Sequence, residues 1–121
     1  MSLPTATFGG TGRTVTRLGL GGFPFGGVNE AQGWNPFTPD GRVTAVATIR
    51  RALELGVNYF DTAPGYGDGN SESIYGEALD GVTTPYTLAT KCPWSGISAV
   101  EVIASVEASL RRLRRGSVDV V

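Results

Sequence analysis

Two kinds of segment alternate along the chain, and they differ in how their apolar residues are spaced. Short apolar runs rich in β-branched and aromatic residues stop at glycine, proline or a charge, which is typical of buried strands. Four such runs occur, at residues 18–20, 57–60, 87–90 and 118–121. Between them, apolar residues recur three and four positions apart, as on one face of a helix. This strand–helix order predicts a series of parallel β/α units.

The first two predicted helices have recognisable starts. Thr38 is a suitable N-cap and Pro39 a suitable first helical residue, because proline lacks the N–H that would stay unpaired there. Gly56 follows the apolar stripe, where helices often end in a left-handed residue. For the second helix, either Asn70 or Ser71 is a candidate N-cap.

The third helix and the start of the chain also carry local signals. Ser98 and Glu101 have the spacing of a capping box, and Gly116 is expected to end the helix that follows. Near the N-terminus, two β-prone runs at 6–8 and 14–16 flank a Gly-rich connection. This arrangement predicts a hairpin ahead of the β/α units.

Composition narrows the class of protein. The chain has 121 residues, 40% of them hydrophobic, and a net charge of −1, so we expect one globular domain without a membrane-surface or nucleic-acid partner. Neither a signal peptide, a membrane helix nor a metal site is predicted. The single cysteine, Cys92, favours a reducing compartment such as the cytoplasm. The arginines near the end of the third helix are interpreted as a solvated surface; they are Arg111, Arg112, Arg114 and Arg115.

Three side chains with chemistry follow predicted strands. Asp61 stands where the second run stops, Tyr66 lies in the next Gly-rich loop, and Lys91 ends the third run. In β/α barrels the carboxyl ends of the strands carry the active site. We therefore expect Lys91 within salt-bridge reach of Asp61, with its amine directed at the Tyr66 hydroxyl. Taken singly, each has a simpler interpretation: a turn-capping aspartate, a packed tyrosine and a solvated lysine.

Two parallel architectures compete, the doubly wound sheet and the β/α barrel. A doubly wound dinucleotide-binding domain has Gly-x-Gly-x-x-Gly between its first strand and a helix. Here Gly19 and Gly21 are followed by Pro24 where the third glycine belongs, and no helix is predicted to begin there. The sequence therefore disfavours the doubly wound fold.

Several linked motifs resemble one family. The stretch VNYFDTAPGYG resembles the aldo-keto reductase signature, in which a strand ends in Phe-Asp-Thr-Ala and a tyrosine follows. LGLGGFPFGG resembles that family's first barrel strand and loop, NSESIYGEAL its second helix, and LATKC its third strand with a lysine. The resemblance implies an oxidoreductase that reduces aldehydes or ketones with NADP(H) or NAD(H).

The resemblance also implies that the chain forms part of the family's barrel fold. A (β/α)8 TIM barrel takes roughly 250 residues, so residues 1–121 are expected to be the N-terminal portion of one truncated barrel domain: a hairpin and about three and a half β/α units. We expect such a half-barrel to be inactive alone and to self-associate. A non-catalytic half-barrel that serves as a binding or assembly module is the alternative.

The family's catalytic set of Asp, Tyr, Lys and His maps here onto three residues. Asp61, Tyr66 and Lys91 match the first three, and the chain contains no histidine. The resemblance implies that Tyr66 is the general acid/base, that Lys91 favours its phenolate, and that Asp61 anchors Lys91.

Residues in the surrounding loops are candidates for binding. Gly22, Phe23 and Asp61 are predicted to approach the nicotinamide. The loop tryptophans, Trp94 and Trp34, are predicted to line a pocket for the carbonyl substrate, with loop packing as the equal alternative.

Overall fold

The computed structural model describes residues 2–121. The chain opens with an antiparallel hairpin of β1 (Thr5–Thr7) and β2 (Thr14–Thr16). The predicted hairpin is confirmed, with its first strand displaced one residue toward the N-terminus relative to 6–8.

Three short parallel strands form the central sheet in the order β3-β4-β5. They are β3 (Leu20–Gly21), β4 (Tyr59–Asp61) and β5 (Thr87–Ala89). The first strand was predicted at 18–20 but begins at Leu20, which pairs with Phe60. Leu18, at 60% exposure, lies outside the sheet. Within β4 the last residue is Asp61, as expected for a side chain presented at the carboxyl end.

The predicted fourth strand, 118–121, is reduced to one bridge. Val120 pairs in parallel with Ala89, and its carbonyl accepts a hydrogen bond from the Thr90 N–H at 3.0 Å. The chain therefore reaches the edge of the sheet beside β5 without forming a full strand among the described residues.

Helix α1 (Pro39–Glu54) matches its predicted ends. The Thr38 hydroxyl accepts a hydrogen bond from the Gly41 N–H at 3.1 Å, and Pro39 is the first helical residue. Gly56, just past the helix, has φ 93°, a conformation that glycine adopts without strain. Both local end signals are confirmed.

Helix α2 (Asn70–Ala78) begins differently from the prediction. Its N-cap is Gly69, and neither Asn70 nor Ser71 caps the helix. Their side chains form long-range hydrogen bonds instead: Asn70 Nδ2 donates to the Phe25 carbonyl at 2.9 Å, and Ser71 Oγ donates to the Gly22 carbonyl at 2.8 Å. The cap prediction was wrong because tertiary partners take up both side chains.

Helix α3 (Ala99–Leu113) has the predicted capping box. The Ser98 N–H donates to the Glu101 carboxylate at 2.6 Å, and this bond lowers the pKa of Glu101. The helix ends at Arg114, which takes the left-handed conformation with φ 55°, so the prediction of Gly116 was wrong. Throughout residues 2–121, no helix is both long and apolar enough to span a bilayer.

The core lies between the sheet and the three helices. Strand alternation turns the fully buried Phe60 toward the helices. The half-buried Tyr59 and Asp61 face the opposite side, where they line a cleft with the hairpin residue Phe8. Besides Phe60, the largest apolar and aromatic side chains with at most 1% exposure are Ile49, Ile74, Tyr75, Leu88 and Leu113.

Tyr75 makes the core sensitive to alkali. Its ring packs on Phe25 and Phe60 with centroids 5.8 and 5.9 Å apart, and its hydroxyl donates to the Leu20 carbonyl at 2.9 Å. Burial first, and the charge of Asp61 second, raise the pKa of Tyr75. Because the pKa of a tyrosine in the unfolded chain is about 10, Tyr75 is neutral in both the folded and the unfolded state below that pH. Above it only the unfolded state ionises, so the unfolding free energy falls by about 1.4 kcal/mol per pH unit from this group.

We therefore expect Tyr75→Phe to flatten the alkaline loss of stability. Near pH 7 the variant should lose about 1 kcal/mol with the hydrogen bond to Leu20. Above about pH 10 its unfolding free energy should fall less steeply than that of the wild type. Urea unfolding followed by circular dichroism across this range measures both slopes. Parallel pH curves for the two proteins would contradict the assignment of this sensitivity to Tyr75.

Candidate active site

Asp61 and Lys91 meet at the carboxyl ends of adjacent strands. Lys91 Nζ lies 2.7 Å from Asp61 Oδ2 and donates a second hydrogen bond to the Thr62 carbonyl at 2.9 Å. The two side chains are 45% and 37% exposed, so the pair opens onto solvent. The predicted ion pair is confirmed, while the catalytic roles of its members stay predictions.

The pKa of Lys91 reflects opposing effects. Partial burial is the largest single influence and lowers it, but the hydrogen bond to Asp61, the Tyr66 side chain and the charges of both groups together raise the pKa of Lys91 above its ordinary value. The Lys91 amine is therefore protonated and positively charged at neutral pH. Its ammonium lies 4.9 Å from the centroid of the Tyr66 ring, which brings all three predicted catalytic side chains to one place.

Close backbone packing positions Tyr66. A Cβ on Gly26 would lie 2.2 Å from the Tyr66 carbonyl carbon, and one on Gly67 would lie 2.7 Å from Gly26 Cα. Only glycines allow the two loops to approach so closely. The Tyr66 carbonyl also accepts a hydrogen bond from the Ser71 N–H at 3.2 Å. The tyrosine is thus held by both the loop after β3 and the start of α2.

The two loop residues predicted to bind cofactor border this site. Gly22 donates its N–H to the Asp61 carbonyl at 2.7 Å. Phe23 is 72% exposed, and its ring contacts Tyr66 edge-on with centroids 5.3 Å apart. Gly22 thus adjoins Asp61, and Phe23 adjoins Tyr66. Cofactor binding by Gly22, Phe23 and Asp61 stays a prediction.

The two predicted substrate residues differ in their surroundings. Trp94 follows Lys91 in the loop after β5 and is 94% exposed. Trp34 packs within its own loop: its indole N–H donates to the Pro24 carbonyl at 2.8 Å, and its ring lies 6.4 Å from that of Phe25. These contacts correspond to the loop-packing alternative for Trp34, and substrate binding by either tryptophan stays a prediction.

The sequence interpretation missed a buried polar layer beneath these residues. Ser71 and Glu72, on the first turn of α2, are fully buried and bond to Thr62 and Thr90, the residues next to Asp61 and Lys91. A polar pair on the face that also carries the buried Tyr75 was the available signal, since helix faces of this kind are normally apolar. Arg112 pairs with Glu72 at 2.6 Å, so its interpretation as solvated surface was wrong.

Comparisons with known proteins agree on one family. A family model described as the Aldo/keto reductase family matches residues 17–121. L-galactose dehydrogenase from Arabidopsis thaliana is 38% identical over 93% of this chain and 35% of its own length. The solved glycerol dehydrogenase from Gluconobacter oxydans is 33% identical, with a TM-score of 0.72 over 94% of this chain and 37% of its own. An aldo-keto reductase from Klebsiella pneumoniae in complex with NADPH is 29% identical, with a TM-score of 0.76 over 98% and 38%.

These matches also bear on the fold. The solved relatives are TIM barrels, and this chain corresponds to part of one, with no closed barrel among residues 2–121. The predicted class, a partial (β/α)8 barrel, is confirmed. The chain spans about a third of the length of curated relatives that it matches, with 35%, 28% and 34% of three of them covered.

Proposed function

Because the chain belongs to the aldo/keto reductase family, we propose that it supplies catalytic residues of an oxidoreductase that reduces aldehydes or ketones to alcohols with NADP(H) or NAD(H). One observation carries the proposal: the Lys91 ammonium lies 2.7 Å from the Asp61 carboxylate and 4.9 Å from the centroid of the Tyr66 ring. The three side chains share the strand end where barrel enzymes hold their reacting groups. We also propose that residues 1–121 are the N-terminal part of a single barrel domain.

The three side chains have complementary roles in this proposal. Reduction of a carbonyl develops negative charge on its oxygen, and the Tyr66 hydroxyl is the group that donates a proton to it. The Lys91 cation favours the resulting phenolate. Asp61 keeps Lys91 charged and directed into the site. The bound nicotinamide supplies the hydride.

The cleft is open beside Asp61. Gly21 pairs with Asp61 across the sheet, and a Cβ built on Gly21 would meet no atom within 4 Å. A larger side chain there would project into the cleft next to the ion pair. Together with Gly22 and Phe23, this open glycine supports the proposal that the nicotinamide approaches Asp61 from this side.

We expect the isolated 121 residues to show no reductase turnover and to self-associate. The chain lacks a histidine, and exposed apolar side chains occur at Leu18, Val100 and Ile103, which are 60%, 75% and 59% exposed. Unpaired edges of a parallel sheet favour association with other chains. Light scattering and an NADPH-consumption assay with a panel of aldehydes test both statements. A monomer that turns over an aldehyde would contradict them.

A chimera provides the positive arm of this test. Residues 1–121 joined to the remaining two thirds of the Arabidopsis relative should consume NADPH or NADH with a carbonyl substrate. Its control carries Lys91→Met, which removes the cation while retaining a long side chain. A folded chimera that binds the cofactor without turnover would overturn the catalytic proposal and favour a binding or assembly module.

We also propose a reducing compartment such as the cytoplasm, since Cys92 is the single cysteine.

A further inference from the structure

A buried carboxylate lies directly behind the loop that carries Lys91. Glu72, on the first turn of α2, has no exposed side-chain surface. Its Oε1 accepts a hydrogen bond from the Thr90 hydroxyl at 2.6 Å, and its Oε2 accepts one from Arg112 Nε at 2.6 Å. Both carboxylate oxygens are therefore satisfied, one by the residue that follows β5 and one by α3.

An ionised carboxylate is a costly way to fill a core position. Removing a charge from water carries a large penalty, and pairing it with a cation often only balances that penalty. An apolar side chain of similar volume would pack α2 against β5 at lower cost. Glu72 provides a directional hydrogen bond, which an apolar residue cannot. This short, charge-assisted bond holds the Thr90 hydroxyl in one position.

The first turn of α2 reaches Lys91 along two routes, one through Thr90 and one through Thr62. Thr90 follows β5 directly, is 2% exposed and immediately precedes Lys91. On the other side, the Thr62 carbonyl accepts a hydrogen bond from Lys91 Nζ at 2.9 Å. The Thr62 hydroxyl in turn lies 2.8 Å from the hydroxyl of Ser71, the residue next to Glu72. The first turn of α2 thus holds both the backbone that leads into Lys91 and one of its acceptors.

We propose that Glu72 is a positioning residue for Lys91, acting through the Thr90 hydroxyl to keep the ammonium on Asp61 and Thr62. The inference rests on the proposed function for its catalytic meaning only. The position of Lys91 is a property of the chain by itself, and it is measured without turnover.

The chain offers a clean readout, because Lys91 is its single lysine. With lysine labelled by ¹³C at Cε, NMR titration reports the pKa of this one amine. Mass spectrometry after acylation at pH 8 reports its reactivity apart from that of the N-terminus. Lys91 that is no longer held on Asp61 loses the contact that raises its pKa, so more of the amine is unprotonated at a given pH.

Thr90→Val removes the hydroxyl and leaves the Glu72 charge in place. We expect the Lys91 pKa to fall toward its ordinary value and acylation to become about two- to fivefold faster. Thr87→Val is the matched control. Thr87 is the first residue of β5, three positions before Thr90, and is 3% exposed; its side chain makes no hydrogen bond among residues 2–121. That variant should keep the wild-type resonance and rate, as should Thr90→Ser, which retains the hydroxyl.

Each outcome decides the matter. A Lys91 signal that moves in Thr90→Val and stays in place in both controls supports the inference. An unchanged signal, or one that moves equally in Thr87→Val, overturns it. If Thr90→Val does not fold, Thr90→Ala and Thr87→Ala form a second matched pair with the same expected contrast. An inactive chimera would count against the proposed function alone, and an unmoved Lys91 in the 121-residue chain would count against the role of Glu72 alone.

Discussion

Replacing Tyr66 with phenylalanine is expected to lower kcat for aldehyde reduction about 10²- to 10⁴-fold in the chimera, the range that a general acid contributes. The substitution removes only the hydroxyl, and the ring keeps its edge-on contact with Phe23 and its place over Lys91. Cofactor affinity should therefore change little. Steady-state rates with an aldehyde, together with a fluorescence titration of the cofactor, separate the two effects.

Tyr59→Phe is a suitable control for this variant. Tyr59 belongs to the same strand as Asp61 and lines the same cleft, and its ring packs on Phe8 with centroids 5.6 Å apart. Its hydroxyl makes no hydrogen bond within the part of the chain that the structure describes. We expect near wild-type kcat for Tyr59→Phe. A Tyr66→Phe chimera that is equally active would remove Tyr66 from the catalytic set.

Phe60→Ala is expected to lower the unfolding free energy by about 3–5 kcal/mol, the usual loss for a buried phenylalanine. Phe60 has no exposed surface and lies in the central strand. Its ring contacts those of Tyr75 and Tyr86, with centroids 5.9 and 6.0 Å away. Deleting it leaves a cavity between the central strand and the helices, in the middle of the core. Urea unfolding monitored by circular dichroism measures the loss.

Phe37→Ala distinguishes this cavity from a general effect of losing an aromatic ring. Phe37 is 52% exposed, so its truncation should cost much less than that of Phe60. Since domains are stable by only about 5–15 kcal/mol, we expect part of the Phe60→Ala population to be unfolded at 25 °C, whereas Phe37→Ala should stay folded. Equal losses in the two variants would contradict the central place of Phe60 in the core.

The elements that the sequence predicted well are those specified over a few residues. Thr38 caps α1, and Ser98 and Glu101 cap α3, as predicted, because each bond joins residues only three positions apart. The order of strands and helices was also readable, since apolar spacing follows from the geometry of each element. Strand edges were less certain: β3 begins at Leu20 because pairing with Phe60, 40 positions along the chain, sets where it starts.

The site divides in the same way. Asp61, Tyr66 and Lys91 were selected from the sequence because parallel strands place their carboxyl ends at one edge, and the ion pair of Asp61 and Lys91 follows from that topology. Their catalytic roles, and the binding roles of the loop residues beside them, are predictions that the experiments above test.

The β/α order, two of the helix starts and the strand ends that present Asp61 and Lys91 could all be predicted from local sequence patterns. The roles of the polar residues of α2, in contrast, follow from the packing of distant elements around them. Serine often caps helices, yet the Ser71 hydroxyl donates its hydrogen bond to the Gly22 carbonyl. The Glu72 carboxylate pairs with Arg112, 40 residues away. The reason is physical: a local cap requires only the backbone of its own turn, whereas a buried polar side chain takes whichever partner the packed elements bring within hydrogen-bond distance.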